Sequence, residues 1–466
     1  MHGDPVGVLL TGCTHDSRAV HPGDLYAALP GAHAHGADFA EAALAAGAVA
    51  VLTDPAGAAR ITGVPVLVVE QPRTVLGVLA SRVHGDPSSA LSVLGVTGTN
   101  GKTTTAFLLE AGLRAAGHAT GLLGTVLTRI GDEQVASVRT TPEAPDLHAL
   151  FATMRERGVR SVAMEVSSHA LAYGRVDGVR FDVSVFTNLS QDHLDFHPTM
   201  ADYFAAKASL FTPQRSSRGI VNRDDAVVAS LLEAPQIPLT SYGEKGDWRA
   251  TEVELGPDGS RFCLLGPGGL NIRASVALPG AFNVSNAVAA LAALVTVGVP
   301  VQDAVRGIAS LAGVPGRMER VDVGQPFTAL VDYAHTPDAV TTLLQAVRQV
   351  TAGRVLVVLG CGGDRDRGKR PLMGAAAVSG ADVAVLTSDN PRGEDPLAIL
   401  AEMAQPGAML EPDRRAAISL AVGQARPGDT VVIAGKGHES GQEVAGVITP
   451  FDDRAVLREA LLAVLS

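Results

Sequence analysis

The stretch Leu91-Ser-Val-Leu-Gly-Val-Thr-Gly-Thr-Asn-Gly-Lys-Thr103 decides the fold. Its first seven residues are mostly apolar or β-branched and predict a buried strand, Leu91 to Thr97. A glycine-rich loop follows, and a helix is expected from about Thr103. Strand, loop and helix in that order form the nucleotide-binding unit of a parallel sheet. Glycine lets backbone amides approach phosphate oxygens, and the helix turns its positive end toward them. In Gly98-Thr99-Asn100-Gly101-Lys102-Thr103-Thr104, Lys102 is expected to reach the β- and γ-phosphates of ATP, and the Thr103 hydroxyl a magnesium ion. The strict spacing G-x-x-x-x-G-K-[ST] asks for glycine at Val96, so the pattern is met only in part. A glycine-rich turn carrying a solvated lysine is the competing reading.

Working outward, strand-like runs recur at Ser161–Val166, Val183–Thr187 and Gly219–Val221. Residues 249–278 alternate apolar and polar around two glycine–proline turns, which predicts antiparallel hairpins added to this central unit. The last third is more regular. Runs at Ala329–Val331, Val355–Leu359, Val383–Leu386 and Val431–Ala434 alternate with helical segments and predict a doubly wound parallel sheet. The four strands end in polar loops, 332–338, 360–370, 388–392 and 435–439. Open parallel sheets bind ligands at such ends, so the four loops are expected to share one cleft. Residues before the turn-rich His84–Ser89 read as a small α/β unit. The expected organisation is thus α/β with three domains: a small N-terminal one over residues 1–88, a central parallel-sheet ATPase-like one over 89–312, and a Rossmann-like one over 313–466.

The chain has 466 residues, 37 Lys+Arg against 48 Asp+Glu and a formal charge of −11. That balance speaks against broad binding to nucleic acid or anionic lipid, which takes basic surfaces. With 46% hydrophobic and 18% charged residues it is not a disordered composition. Cys13, Cys263 and Cys361 are far apart, so neither a disulfide framework nor a cysteine zinc site is expected. The uncharged stretch Ala274–Gln302 is interrupted by Pro279, Gly280 and Pro300, which predicts a buried helix rather than a membrane span. Met1–Val20 lacks the pattern of a secretory signal, and a cytoplasmic protein is expected. Only five basic residues are lysine: Lys102, Lys207, Lys245, Lys369 and Lys436. All but Lys245 fall in motifs with other chemistry-bearing residues.

Two clusters could hold magnesium, which prefers oxygen ligands. Glu165 ends a strand beside the phosphate-loop strand, and His193 lies among Asp192 and Asp195. Helix capping or surface ion pairing explains the same spacing equally well. Lys207, on an amphipathic segment, reads by itself as a solvated helix-face lysine. Arg392, after Asn390-Pro391, reads as a turn arginine, although a strand-end position suits it to a carboxylate.

Taken in order, Asp16-Ser-Arg18, Gly98–Thr103, Thr140-Thr-Pro142, Glu165–His169, Asn188–His193, Lys207–Phe211, Gly280–Asn286, Gly316–Glu319, Asp332–His335, Asp389–Arg392 and Gly435–Glu439 resemble the Mur ligase family over nearly the whole chain. The resemblance implies that Ser17, Thr140, Thr141, Ser168 and Arg175 hold a UDP-muramoyl dipeptide. It implies that Thr103, Glu165 and His193 serve magnesium, and that Lys207 carries a carbamate beside a second magnesium. Asn283, Arg317, Asp332 and His335 match groups around ATP. Arg365, Asp389, Asn390, Pro391, Arg392, Gly435 and Glu439 match the pocket of the incoming amino acid. Tyr173 departs from the glutamine of some relatives near the dipeptide.

The implied activity is an ATP-dependent amide ligase of peptidoglycan synthesis, and so of cell shape and division. It would add meso-diaminopimelate to a UDP-N-acetylmuramoyl dipeptide through an acyl phosphate, with Lys102, Lys207, Glu165 and His193 at the reaction centre. Its expected partners are small molecules, with no nucleic acid and no membrane insertion, and its expected state is a monomer. Asp389-Asn-Pro-Arg392 favours diaminopimelate because Arg392 can meet the distal carboxylate and Glu439 the distal ammonium. The competing readings are the same reaction with L-lysine, a folylpolyglutamate synthase, and a P-loop protein that binds nucleotide without ligation.

Overall fold

The computed structural model describes residues 7–135, 137 and 139–465, arranged around three parallel or mostly parallel sheets. The first carries Gly12–Thr14, Asp24–Ala27, Ala50–Thr53 and Val66–Val68, all parallel and adjacent in chain order. The helix Pro72–Val83 covers one face, placing Leu76 and Ala80 against Leu25 and Leu52.

The central sheet has eight strands in the spatial order Leu239–Tyr242, Gly219–Asn222, Val183–Phe186, Ser92–Thr97, Ser161–Glu165, Thr120–Leu123, Thr128–Ile130, Glu133–Val135. The first six are parallel. Ser92–Thr97 therefore lies inside the sheet, so the loop after it is flanked by the carboxyl ends of both neighbours. Val93, Leu94 and Val96 are fully buried, which is why this run reads as continuously apolar rather than alternating. The strands Arg249–Gly256, Gly259–Gly266 and Leu270–Val276 form the anticipated antiparallel sheet. The edge hairpin Thr128–Val135 was not anticipated. Its strands are three residues long and the second is wholly exposed, leaving no apolar pattern to read.

Helices Lys102–Ala115 and Ala281–Thr296 pack together behind the phosphate loop through Leu108, Leu109, Leu291 and Leu294. Burying such side chains stabilises the fold by roughly 1.5–3 kcal/mol each. The uncharged stretch at 274–302 thus resolves into a strand end and a core helix. Among the described residues no helix is long and apolar enough to cross a membrane.

The third sheet runs Glu319–Arg320, Thr328–Asp332, Thr430–Ala434, Val355–Cys361, Val383–Ser388, Met409–Leu410. Only its first pair is antiparallel. This order brings the ends at Asp332, Ala434, Cys361 and Ser388 side by side, and the four loops do share one face. A further hairpin, Gly441–Val444 with Val447–Pro450, folds over that face and bridges Val444 to Arg392. Gly316 joins the central and third units at φ +66°, where a Cβ would strike the backbone of Gly437 and His438. Only glycine permits that approach.

Candidate active site

The phosphate loop is sewn to the end of its neighbouring strand. Gly98 sits at φ +141°, and a Cβ there would collide with the Thr187 hydroxyl. The Thr99 and Asn100 amides donate to the Asn188 carbonyl and Oδ1, each at 2.9 Å. The Thr187 hydroxyl donates to the Asn100 carbonyl at 2.6 Å, and the Thr99 hydroxyl lies 3.1 Å from that of Tyr203. Lys102 Nζ donates to the carbonyls of Gly98 (2.9 Å) and Thr99 (2.7 Å), which folds the amine over its own loop. Loss of hydration lowers its pKa, while Glu165 and Asp192 oppose that shift.

Behind the loop, the Thr103 hydroxyl donates to Glu165 Oε2 at 3.0 Å, and the Thr125 amide donates to Oε1 at 2.7 Å. Arg317 reaches in from beyond Gly316 and donates to the Thr103 hydroxyl at 3.0 Å. Its guanidinium stands 4.4 Å from the Tyr333 ring centroid. Asp332 accepts from the amides of Met318 (2.7 Å) and Ala334 (2.8 Å). Burial raises its pKa, with Arg317 and those amides acting the other way. Asn283 donates to the Pro279 carbonyl at 2.8 Å. Thr104, Asn283, Arg317, Asp332 and His335 line one cleft of about 510 Å³ with Thr99–Thr103, Glu165, His193 and Lys207. The phosphate loop, the predicted magnesium residues and the predicted nucleotide contacts therefore meet in one place.

His193 takes a left-handed backbone, φ +55°. Burial pushes its imidazole toward the neutral form, with Asp192, 3.4 Å away, pulling the other way. Asp192 also faces His335 at 3.8 Å, and it stays below the ordinary carboxylate range although burial alone would raise it. Lys207 is buried rather than solvated. Its Nζ donates to the Gly98 carbonyl at 2.7 Å and lies 4.6 Å from the Tyr203 ring centroid. Desolvation first, then repulsion from Lys102, pushes its pKa well below the usual lysine value. A neutral amine is the form that can act as a nucleophile.

The oxygen donors of Thr103 and Glu165 suit magnesium. Among the described residues, no three His, Cys, Asp or Glu side chains are gathered as a metal cage. Asp192, His193 and Asp195 therefore do not complete a preformed site with Glu165. Magnesium commonly keeps waters and phosphate oxygens with one or two protein ligands, so the partial set still fits it.

Four of the residues expected to hold the dipeptide, Thr140, Thr141, Ser168 and Arg175, adjoin this centre. Thr140 and Ser168 line the cleft, and the Ser168 hydroxyl is buried without a partner. Thr141 donates from its hydroxyl to the Glu165 carbonyl at 2.9 Å and accepts from the Ser167 amide at 3.1 Å. Arg175 Nη2 pairs with Glu143 at 2.8 Å. Ser17 stands apart, half-buried in the first sheet's domain beside Tyr26.

At the third sheet, Lys436 is fully buried and donates to Asn390 Oδ1 and Glu439 Oε2, both at 3.0 Å, with Asp389 Oδ1 at 3.9 Å. Asn390 Nδ2 also donates to Glu439 Oε2, at 2.9 Å. Gly435, φ +113°, brings its backbone against Asp389. Arg392, after Pro391, has φ +52° and donates from Nη1 to the Gly363 carbonyl at 2.9 Å. Arg365 is the exception among these residues. It is exposed and donates to the carbonyl of Asp364 beside it at 3.2 Å.

Three family models tile the chain: the Mur ligase family catalytic domain over 9–84, the Mur ligase middle domain over 96–294, and the Mur ligase glutamate ligase domain over 316–437. The chain belongs to the Mur ligase family. Over 468 aligned residues this Mur ligase is 59% identical to a Streptomyces avermitilis protein named UDP-N-acetylmuramoyl-L-alanyl-D-glutamate–2,6-diaminopimelate ligase, covering 97% of this chain and 92% of that one. It is 46% identical to a Leifsonia xyli protein named UDP-N-acetylmuramyl-tripeptide synthetase, over 99% of this chain and 94% of that one. A solved structure of a UDP-N-acetylmuramoyl-L-alanyl-D-glutamate–2,6-diaminopimelate ligase is 35% identical, with a TM-score of 0.70 over 98% of this chain and 96% of that one.

Several residues that build the Mur ligase site were missed in the sequence. Thr125 holds Glu165, Thr187 and Tyr203 shape the phosphate loop, and Tyr333 supports Arg317. Thr125 follows the end of Thr120–Leu123, and polar residues just past buried strands are the signal that could have found it.

Proposed function

We infer that this Mur ligase is an ATP-dependent amide ligase that adds meso-2,6-diaminopimelate to the D-glutamate of UDP-N-acetylmuramoyl-L-alanyl-D-glutamate, in peptidoglycan synthesis. The observation that carries the reading is one cleft that brings the phosphate loop, Glu165 and Lys207 against Arg317, Asp332 and His335. The cluster of Asp389, Asn390, Lys436 and Glu439 lies at neighbouring strand ends of the sheet that carries Asp332. The relatives' names supply the substrates. We assign the three domains to residues 1–88, 89–312 and 313–466.

A carboxylate and an amine do not condense unaided in water. Transfer of the γ-phosphoryl group of ATP to the glutamate carboxylate gives an acyl phosphate, and attack by the amine expels phosphate. Lys102 leaves its own loop carbonyls for the phosphates and offsets their repulsion of the carboxylate. Arg317, braced on Tyr333, brings a second positive charge to Thr103. Magnesium held by Thr103, Glu165 and His193 would screen the same charge. Lys207 has an environment that suits a carbamate, since the free amine is the form that adds carbon dioxide, forming the carbamate anion and releasing a proton.

Arg392 and Glu439 are assigned to the distal carboxylate and ammonium of diaminopimelate, with Asp389, Asn390 and Gly435 shaping that pocket and Arg365 at its exposed rim. Ser17 is assigned to the uridine end, and Thr140, Thr141, Ser168 and Arg175 to the dipeptide. We place the enzyme in the cytoplasm as a monomer.

The test is phosphate release from ATP, with and without the muramoyl dipeptide and each of diaminopimelate and L-lysine. Release is expected only with both co-substrates, and preferentially with diaminopimelate. Release independent of both would overturn the ligase reading, and preference for lysine would transfer it to the lysine-adding reaction.

A further inference from the structure

The hairpin Gly441–Val444 with Val447–Pro450 adds little to any core. Its second strand is exposed along its whole length, Val447 at 63% and Ile448 at 71%. A two-stranded hairpin alone in water is marginal at best, so its order depends on what it touches. Four hydrogen bonds tie it to one segment, Asp389-Asn-Pro-Arg392. Gln442 Nε2 donates to the Asp389 carbonyl at 2.7 Å, and the Glu443 amide donates to Asn390 Oδ1 at 3.0 Å. The Arg392 amide donates to the Glu443 carbonyl at 3.0 Å, and the Ala445 amide donates to the Arg392 carbonyl at 2.7 Å. The hairpin thus takes up both backbone polar groups of Arg392.

Arg392 needs such a partner. Its φ of +52° is a left-handed conformation that disfavours any residue with a Cβ, and it persists only where the surroundings fix it. Ala445, which meets it, is left-handed as well, at φ +50°. The backbone angle decides where the side chain leaves the loop. From there the guanidinium is held by the Gly363 carbonyl, 2.9 Å from Nη1, with Glu443 Oε2 3.6 Å from Nε. The side chain stays 24% exposed, enough to receive a ligand.

The chain on either side of the hairpin is anchored without it. Before it, Glu439 is held by Lys436 and Asn390. After it, Asp453 forms a fully buried ion pair with Arg414 at 2.7 Å. Arg414 also donates to the carbonyls of Ser388 at 3.2 Å and Ala434 at 2.9 Å, the last residues of two strands of the sheet. A change in the hairpin can therefore reach Arg392 while the sheet and the C-terminal helix stay in place.

We propose that the hairpin Gly441–Pro450 is a specificity-determining element of the ligase, setting the left-handed backbone that aims the Arg392 guanidinium at the distal carboxylate of the incoming amino acid. Gln442 and Ala445 are positioning residues in it, acting through Arg392 without touching the substrate. The proposal rests on the assignment of Arg392 to that carboxylate and adds what holds the arginine there.

The experiment is a double-mutant cycle on the full chain, read as kcat/KM for diaminopimelate. Ala445→Pro removes the amide that bonds the Arg392 carbonyl and forbids φ +50°. It should lower kcat/KM roughly 10- to 100-fold, as far as Arg392→Ala does, with KM for ATP unchanged. Gln442→Ala, which loses one neutral bond, should lower it about 2- to 10-fold. In an Arg392→Ala background neither change should cost more than about twofold further, because the residue they act through is gone. Ala445→Gly keeps the amide and accepts the left-handed angle, so it should retain activity. Gln442→Ala, the milder truncation, carries the cycle alone if Ala445→Pro does not fold. Losses that multiply with that of Arg392→Ala would overturn the proposal, as would hairpin variants that use diaminopimelate normally. An Arg392→Ala chain that uses diaminopimelate normally would instead overturn the assignment of Arg392 on which the proposal rests.

Discussion

Two buried lysines divide this Mur ligase into regions of opposite electrostatic design. Lys207, at the phosphate loop, meets a carbonyl and an aromatic face, with Lys102 as a like-charged neighbour. Lys436, at the third sheet, is as deeply buried but stands against Glu439, Asn390 and Asp389. Burial is the same and the partners differ. In the first region the ammonium is disfavoured, leaving an amine open to chemistry. In the second the charge is matched, and the lysine orders the loops that surround it.

That contrast can be broken most severely at Lys207. Lys207→Arg should cut turnover about 1,000-fold or more, because arginine can neither lose its charge nor form a carbamate. Lys207→Met should be as inactive, yet its thermal midpoint should equal or exceed that of the natural chain, since a desolvated amine without a counter-charge is removed. A marked drop in that midpoint, measured by calorimetry, would mean that the amine is a structural charge after all.

Lys436→Met should do the reverse. Leaving Glu439 unpaired should cost roughly 2–4 kcal/mol in denaturant titration, below the most severe cases because Glu439 keeps some solvent contact. An unchanged midpoint would erase the distinction between the two lysines.

Arg392→Ala, on the same loop cluster, should lower kcat/KM for diaminopimelate roughly 10- to 100-fold while sparing KM for ATP. Unchanged constants would remove the specificity argument. The smallest effect belongs to Lys245, the lysine outside the site motifs. Lys245→Arg should shift stability by no more than about 0.5 kcal/mol and leave turnover alone.

The fold was largely legible because its strands are buried on both faces and its loops carry polar residues where strands stop. Leu91–Thr97, Val355–Leu359 and Val431–Ala434 needed no tertiary knowledge to find. The edge hairpin at 128–135 and the hairpin at 441–450 were not legible, since exposed strands show no apolar periodicity. At the site, Lys102, Thr103 and Glu165 fell where strand ends predicted. Lys207 was misleading in isolation: an amphipathic segment placed its amine on a solvated face, and the helix Met200–Ala208 instead turns it inward under Gly98.

The sequence by itself determined the strand–loop–helix at Gly98–Thr103, the parallel sheets, and the family, through motifs in a fixed order. Tertiary structure alone decided which charges meet. Lys207 owes its state to Gly98 and Tyr203, Lys436 to Asn390, and Glu143 its Arg73 partner to the distant helix Pro72–Val83. Hydrogen-bonding periodicity is local and leaves its mark along the chain. Desolvation and Coulomb interaction depend on distances in space, and those distances exist only once the domains have packed.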